Sequence, residues 1–133
     1  QLIFEEYISG RELTVGILDD KSLPVVEIVP SHDLYDYECK YTEGMSNYFC
    51  PADIPEEIES KLRETALKFH NLLGCRHYSR VDFRMNPDNE IYLLELNTLP
   101  GMTSTSLLPM AAKADGLDFR KLLDTIINCG MNT

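Results

Sequence analysis

One stretch, residues 78–97, constrains the fold more than any other part of the chain. Two runs rich in β-branched and aromatic residues flank the segment Pro87–Glu90, a composition that predicts a strand, a turn and a second strand. With Pro87–Glu90 as the loop, Asn86 faces Ile91. Because side chains alternate across a strand, three apolar pairs then share one face, which is expected to be core. These pairs are Met85 with Tyr92, Phe83 with Leu94, and Val81 with Leu96.

The other face of this predicted hairpin is polar at its far end. Arg84 lies opposite Leu93, Asp82 opposite Glu95, and Arg80 opposite Asn97. Opposed side chains have Cβ atoms roughly 5 Å apart. Two carboxylates at that distance repel by about 3 kcal/mol at an effective dielectric constant of about 20. Three arrangements relieve the repulsion: one carboxyl takes up a proton, Arg80 offsets the charge, or a divalent cation sits between the two.

The residue types at this end favour a cation. Asn97 adds a neutral oxygen two residues beyond Glu95 on the same face. A set of oxygen ligands with few protein contributors suits Mg²⁺, which keeps several waters and is usually completed by substrate phosphates. Asp82, Glu95 and Asn97 are therefore the predicted metal ligands. The alternative is a solvated hairpin face with an Asp–Arg pair.

Composition limits the classes of partner. The chain has 133 residues, which predicts one domain, and its net charge of −10 argues against nucleic acid or an anionic membrane as a general partner. No apolar run reaches the roughly 20 residues needed to span a bilayer. The four cysteines show no metal-binding spacing, so free thiols in the cytoplasm are expected. The chain opens inside an apolar run without Met, as expected of part of a longer protein.

Hydrophobic patterning predicts the remaining elements. Three strands, at Leu2–Ile8, Glu12–Leu18 and Leu23–Val29, are expected to form an antiparallel meander. The tyrosine-rich segment Ser31–Pro51 is predicted to be an ordered loop that packs over another part of the molecule. Three helices are predicted in all, and the two that follow the hairpin span Leu107–Asp115 and Asp118–Cys129.

A long first helix has clear end signals. Asp53 is the predicted N-cap, with Glu56 completing a capping box, and Gly74 follows the last turn. His70 lies within that last turn, where an imidazolium suits the helix dipole, so no chemistry is assigned to it.

The loop after the hairpin has the features of an anion site. Gly101 permits close backbone approach, and either Ser104 or Ser106 can cap the helix that follows. Free N–H groups at a helix N-terminus favour a carboxylate or a phosphate. A cation site, an arginine and an anion site are thus predicted side by side.

These motifs together resemble a known family. Arg80-Val81-Asp82 and the segment Glu95–Leu107 (ELNTLPGMTSTSL) resemble the C-terminal signature of D-alanine–D-alanine ligases of the ATP-grasp superfamily. Tyr35–Tyr41 looks like the mobile loop of that family, and Tyr48–Ala52 like its return segment. The resemblance covers essentially the whole chain. It implies an α+β fold, the ATP-grasp C-terminal subdomain, mainly antiparallel sheet with flanking helices. Residues 1–133 would then lack the N-terminal and central subdomains.

The resemblance also implies roles for individual residues. Asp82, Glu95 and Asn97 would hold two Mg²⁺ (or Mn²⁺) ions, with Glu95 bridging. Arg80 and the Gly101 N–H would stabilise an oxyanion, and Ser106 and Leu107 would bind the carboxylate of the second D-alanine. The nucleotide set comprises Glu5, Glu6, Ile8, Glu12, Lys40 and Leu94, in which Glu5, Glu6 and Ile8 match the adenine hinge and Glu12 the ribose carboxylate. Lys40 and Tyr41 match loop residues that close over phosphates and substrate.

The implied reaction joins two D-alanines at the expense of ATP, through an acyl phosphate, for peptidoglycan precursors. The full-length enzyme is expected to be a cytoplasmic homodimer, and this chain alone is expected to be inactive. Another ligase of the superfamily, specific for D-lactate or D-serine, is an alternative, although Tyr41 favours an amine as second substrate. A module that binds divalent cations without catalysis is a second alternative.

Overall fold

The computed structural model describes residues 2–30 and 46–131, and within these ranges the chain forms one antiparallel sheet with helices on both faces. The strands are β1 (Arg11–Leu18), β2 (Lys21–Ser22), β3 (Val26–Pro30), β4 (Ser46–Phe49), β5 (Tyr78–Met85) and β6 (Ile91–Asn97). The strand order is β4-β3-β1-β5-β6, and β2 pairs with β1. The α+β prediction, with a mainly antiparallel sheet, is confirmed.

Among the described residues, three helices cover the sheet: α1 (Glu56–Leu72), α2 (Leu107–Ala114) and α3 (Phe119–Met131). Strand β1 is central, and its alternate side chains enter two separate apolar clusters. Leu13, Val15 and Ile17 pack with α1 on one face. Leu18 packs with α2 and α3 on the other. The two clusters bury opposite faces of the sheet, which fixes which face each residue of β5 and β6 presents.

A close approach of backbone and side chain holds α2 on the sheet. A Cβ placed on Gly16 would lie 2.5 Å from Leu108 Cδ1 and 3.1 Å from Leu23 Cδ1. Since both leucines are fully buried, the missing side chain of Gly16 is what allows α2 to approach β1.

The predicted hairpin is present, but only half of its predicted register is correct. Arg80 pairs with Asn97, Val81 with Leu96 and Asp82 with Glu95, as predicted. Beyond that point a β-bulge shifts the register, so that Phe83 faces Leu93, Arg84 faces Tyr92 and Met85 faces Ile91. Tyr92 and Leu94, predicted to be core, are instead 36% and 52% exposed. One extra residue in β6 is the physical cause, because it turns the rest of the strand over.

Two other secondary-structure predictions differ from the structure. The segment Leu2–Ile8 forms no strand, and no strand of the described part of the chain pairs with it. Its first apolar residues, Leu2, Ile3 and Phe4, are 82% to 90% exposed. The loop prediction for Ser31–Pro51 lies outside the described residues over 31–45, but Ser46–Phe49 within it forms strand β4, paired with β3. Its side chains are mostly exposed, so no apolar alternation marks it in the sequence.

The end signals of α1 were half correct. Pro55 is the N-cap and makes no side-chain cap hydrogen bond, so the prediction of Asp53 as N-cap was wrong. At the other end, Gly74 has φ +68°, and the N–H groups of Gly74 and Cys75 donate to Asn71 O and His70 O. This is the glycine-terminated end that the sequence predicted.

His70 lies in the last turn of α1, as the sequence predicted. The side chain is 2% exposed and its Nδ1 lies 2.7 Å from Ser79 Oγ. Burial lowers the pKa of His70, against a smaller opposing effect of Asp20. Desolvation thus disfavours the charged imidazolium at this position.

The cysteine prediction agrees with the described residues, where Cys50, Cys75 and Cys129 are free. Burial raises the pKa of the Cys50 thiol to about 11, so it is protonated at neutral pH. None of the helices in residues 2–30 and 46–131 is both long enough and apolar enough to cross a bilayer.

Candidate active site

The predicted metal ligands lie together on one face of the sheet, on the two adjacent strands β5 and β6. The register pairs Thr14 of β1 with Asp82 of β5, and Asp82 with Glu95 of β6. Two residues closer to the end of β6, Asn97 pairs with Arg80. Leu13 and Val15 point into the cluster under α1, so Thr14, which lies between them, points to the opposite face of the sheet. The four residues on β5 and β6 share that face, which α2 and α3 cover near Leu18. Two carboxylates, an amide and an arginine thus share one corner.

Asp82 is the most firmly held member of this corner. Its Oδ1 accepts hydrogen bonds from Thr14 Oγ1 at 2.6 Å and from Arg80 Nε at 2.9 Å. Its Oδ2 accepts one from Arg80 Nη2 at 2.8 Å. The residue is 7% exposed. The two-pronged contact neutralises the buried carboxylate, which is the second of the three arrangements predicted from the sequence.

Glu95 and Asn97 are less constrained than Asp82. Glu95 is exposed, and within the described part of the chain no side chain pairs with its carboxylate. Asn97 Oδ1 accepts a hydrogen bond from the Leu99 N–H at 2.9 Å, which orients its amide. With Asp82 neutralised by Arg80, the Glu95 carboxylate leaves the corner with a net negative charge.

These residues fit a hard divalent cation. The available ligands are all oxygens, from two carboxylates and one amide, as Mg²⁺ and Mn²⁺ prefer. The described residues contain no cluster of three or more His, Cys, Asp or Glu side chains suited to a metal. A cation at this corner would accordingly rely on Asn97 and on ligands from outside these residues, such as water and phosphate oxygens.

The loop from Thr98 to Ser106 joins the corner to helix α2. Ser106 is the N-cap of α2, as one of the two sequence alternatives proposed, but its side chain makes no cap hydrogen bond. Its Oγ turns back instead to accept from the Thr103 N–H at 3.0 Å. Gly101 lies against the same serine, since a Cβ there would be 2.9 Å from Ser106 Oγ. The fold thus brings Gly101, Ser106 and the first helical residue Leu107 into one turn.

The predicted nucleotide-binding residues fall into two groups. Ile8 and Glu12 are joined through one side chain, Arg84, which donates from Nε to Ile8 O at 3.0 Å. Arg84 Nη1 also lies 3.8 Å from Glu12 Oε2. In the second group, Glu5 and Glu6 are exposed, and Leu94 is exposed at the bulge of β6. Lys40 and Tyr41 lie outside the described residues.

Two residues that the structure brings into the candidate site had no role predicted from the sequence. Thr14 contacts Asp82, and Arg84 contacts Ile8 and Glu12. The signal for Thr14 was a polar side chain within a run of otherwise apolar residues on a central strand. The predicted register placed Arg84 opposite Leu93, one position away from its true neighbour Tyr92.

Comparison with known proteins gives one consistent result. The family model described as D-ala D-ala ligase C-terminus matches residues 1–128. A D-alanine–D-alanine ligase of Aquifex aeolicus is 50% identical over 96% of this chain. One of Methylacidiphilum infernorum is 52% identical over 95% of it. The chain spans only 43% and 42% of the length of these two relatives.

Solved structures agree with the sequence relatives. The Bacillus anthracis D-alanine–D-alanine ligase complexed with ATP superposes with a TM-score of 0.80 at 34% identity, covering 96% of this chain and 40% of that protein. The VanG D-Ala:D-Ser ligase of Enterococcus faecalis gives a TM-score of 0.77 at 36% identity, covering 93% and 37%.

Proposed function

The chain belongs to the D-ala D-ala ligase C-terminus family, and we propose that it supplies the C-terminal catalytic part of an ATP-dependent D-alanine–D-alanine ligase. It adopts the C-terminal ATP-grasp fold of the solved ligases. The whole protein would phosphorylate the carboxylate of one D-alanine and join the resulting acyl phosphate to the amine of a second. The dipeptide would enter peptidoglycan synthesis.

The observation that carries the proposal is the polar corner formed by Asp82, Arg80, Glu95 and Asn97. Its all-oxygen ligands fit Mg²⁺ or Mn²⁺, and we propose that two such ions would bind here. When bound, such ions neutralise charge on a transferred phosphoryl group. The residues of this chain would orient the ions: Asp82 is fixed by Thr14 and Arg80, and Glu95 is available from the neighbouring strand.

The loop and the start of α2 would bind the D-alanine substrates. Arg80 and the Gly101 N–H are the proposed groups for the developing oxyanion. Ser106 and Leu107, at the N-terminus of α2, are the proposed site for the carboxylate of the second D-alanine, a position that favours anions. The contact between Gly101 and Ser106 supports this assignment, because it places the two proposed groups in one turn.

ATP would bind along the same face of the sheet. Glu5, Glu6, Ile8, Glu12 and Leu94 are the proposed contacts of its adenine and ribose, and Lys40 and Tyr41 would close over the phosphates and substrate. The rest of each site would come from the N-terminal and central parts of the same ligase. We further propose that the full-length protein acts in the cytoplasm as a homodimer.

Dipeptide synthesis by the full-length protein tests this proposal. The protein would be incubated with ATP, Mg²⁺ and D-alanine, and D-alanyl-D-alanine measured by mass spectrometry. Glu95→Gln and Asp82→Asn are each expected to lower the rate at least about a hundredfold, since each removes a charge that the metal needs. Glu64→Gln, an exposed glutamate of α1, is the matched control and should leave the rate unchanged. No dipeptide from the unmodified protein would refute the proposal.

A second candidate function is D-alanine–D-serine ligation. The 36% identity to the VanG D-Ala:D-Ser ligase favours it, because related ligases differ in their second substrate. Competition between D-alanine, D-serine and D-lactate at equal concentrations would decide. A predominance of D-alanyl-D-serine among the products would favour this candidate over D-alanine ligation.

A further inference from the structure

We propose that Arg84 is a positioning residue of the nucleotide site, acting through the segment Tyr7–Gly10 and through Glu12. This inference rests on the proposed function, since it concerns how the chain presents ATP-binding groups. No role was assigned to Arg84 from the sequence, and the structure places it at the centre of a set of contacts.

Every nitrogen of the Arg84 guanidinium contacts a group in residues 7–12. Nε donates to Ile8 O at 3.0 Å, and Nη2 donates to Gly10 O at 3.1 Å. Nη2 also lies 3.5 Å from Tyr7 Oη, and the guanidinium carbon lies 5.6 Å from the centre of the Tyr7 ring. Nη1 is 3.8 Å from Glu12 Oε2.

In the described part of the chain, no strand pairs with residues 2–9. The contacts with Arg84 hold this segment in place of strand pairing. Residues 2–9 form no strand, and most of their side chains are exposed. Arg84 is on β5, a strand with neighbours on both sides, and its side chain is only 16% exposed. A rigid, planar donor on a fixed strand can therefore set the backbone position at Ile8.

The same side chain links the two ends of the proposed nucleotide site. Ile8 is proposed to contact adenine and Glu12 the ribose, and Arg84 contacts both residues. An ammonium group could not donate along the two directions that Nε and Nη2 use, because it is a single point rather than a fork. Arg84→Lys is accordingly expected to retain the charge near Glu12 while losing part of the segment's order.

The first test measures the segment in the chain itself, without any substrate. Backbone ¹⁵N relaxation of Tyr7, Ile8 and Ser9 is expected to give order parameters near those of a rigid backbone, about 0.85. Arg84→Met should lower them below about 0.6, a flexible value, with Arg84→Lys between the two. Arg120→Met is the matched control, because Arg120 is 92% exposed and should leave these values unchanged.

The second test measures ATP use by the full-length ligase. Arg84→Met is expected to raise the KM for ATP about tenfold with kcat within about twofold, while the KM for D-alanine stays unchanged. Arg84→Lys should raise the KM for ATP by a smaller factor, and Arg120→Met should not change it. A merely structural role would lower the amount of folded enzyme and hence kcat, leaving both KM values unchanged.

The two tests separate this inference from the proposed function. Unchanged order parameters in Arg84→Met, an unchanged KM for ATP, or a fall in kcat alone would each overturn the role of Arg84. An unmodified ligase that makes no dipeptide would refute the proposed function, whereas the relaxation measurement would still decide whether Arg84 holds the segment.

Discussion

At the scale of single residues, the buried carboxylate of Asp82 is the most demanding feature of the structure. An isolated charge in this position would be strongly unfavourable, so its partners determine whether it is tolerated. Arg80 supplies the counter-charge and Thr14 a third hydrogen bond. Because Thr14 belongs to β1, its hydroxyl ties the carboxylate to the central strand rather than to β5 alone.

Replacement of Thr14 by Val should therefore destabilise the chain. The side chains are nearly equal in size, so the main change is a lost hydrogen bond to a charged group, worth about 2 kcal/mol. Thr14→Ser should retain most of the stability, since it keeps the hydroxyl. The free energy of unfolding in urea measures both. Thr125→Val is the control, because the Thr125 hydroxyl donates to Lys121 O on an exposed helix. This variant should lose less free energy of unfolding than Thr14→Val. Equal losses at the two sites would contradict this account.

His70 gives the chain a specific dependence on pH. Burial lowers its pKa in the folded state below the ordinary value of 6.5, so the unfolded chain takes up the proton first as pH falls. The stabilising contribution of the neutral imidazole is present above pH 6.5. It is lost progressively as pH falls towards the folded-state pKa.

The measurement is the free energy of unfolding between pH 7.5 and 5.5, roughly the range in which histidine titrates. His70→Gln, which retains a polar group beside Ser79, is expected to show a flatter profile over this range. A profile that is equally steep in both proteins would assign the dependence to other groups, such as the two remaining histidines.

At the scale of elements, the bulge in β6 explains why the hairpin could be predicted only in part. Alternation correctly placed Asp82 opposite Glu95, because the register is regular from there to the end of the strand. Leu93 and Leu94 are both apolar, so the sequence carries no sign of which one is the extra residue. The bulge keeps Glu95 on the site face and Leu93 in the core, a combination that strict alternation forbids.

The other elements, too, could be predicted only where the sequence itself carries their pattern. Helix α1 was predictable from a repeating apolar stripe, because Leu62 and Ala66 are fully buried. The segment Leu2–Ile8 has the composition of a strand, but a strand also needs a partner, which composition does not report. The candidate site was predictable where the chemistry lies in a local motif, as at Asp82. It was missed at Thr14 and Arg84, whose roles come from contacts distant in sequence.

The packing of α2 on β1 makes a sharp prediction for Gly16. A methyl group at this position would overlap Leu108 Cδ1 in a fully buried contact, so Gly16→Ala should destabilise the chain by about 1–3 kcal/mol. Leu108→Ala alone should cost about 2–5 kcal/mol, since it leaves a cavity. The double variant should be less destabilised than the sum of the two, because each change relieves the other. Additive losses in thermal unfolding would show that α2 does not rest on Gly16.

At the scale of the whole molecule, this chain spans less than half the length of the relatives it matches. Asp82, Glu95 and Asn97 form a corner of one sheet face in which only Glu95 is exposed, and the relatives that share this fold are more than twice as long. Leu2, Ile3 and Phe4 are exposed apolar residues of the segment before Tyr7, with which no strand of the described part of the chain pairs. A corner open to water cannot protect an acyl phosphate from hydrolysis, which catalysis by a ligase requires.

We therefore expect this chain alone to make no D-alanyl-D-alanine, although it retains the groups proposed to hold metal. The test incubates the isolated chain with ATP, Mg²⁺ and D-alanine beside the full-length protein at equal molar concentration, with the dipeptide measured by mass spectrometry. Glu95→Gln in the isolated chain controls for a contaminating host ligase, because a contaminant would give the same signal in both preparations. Dipeptide from the unmodified chain that the variant does not make would show that the corner is sufficient for catalysis. Water exclusion by the rest of the protein would then be unnecessary.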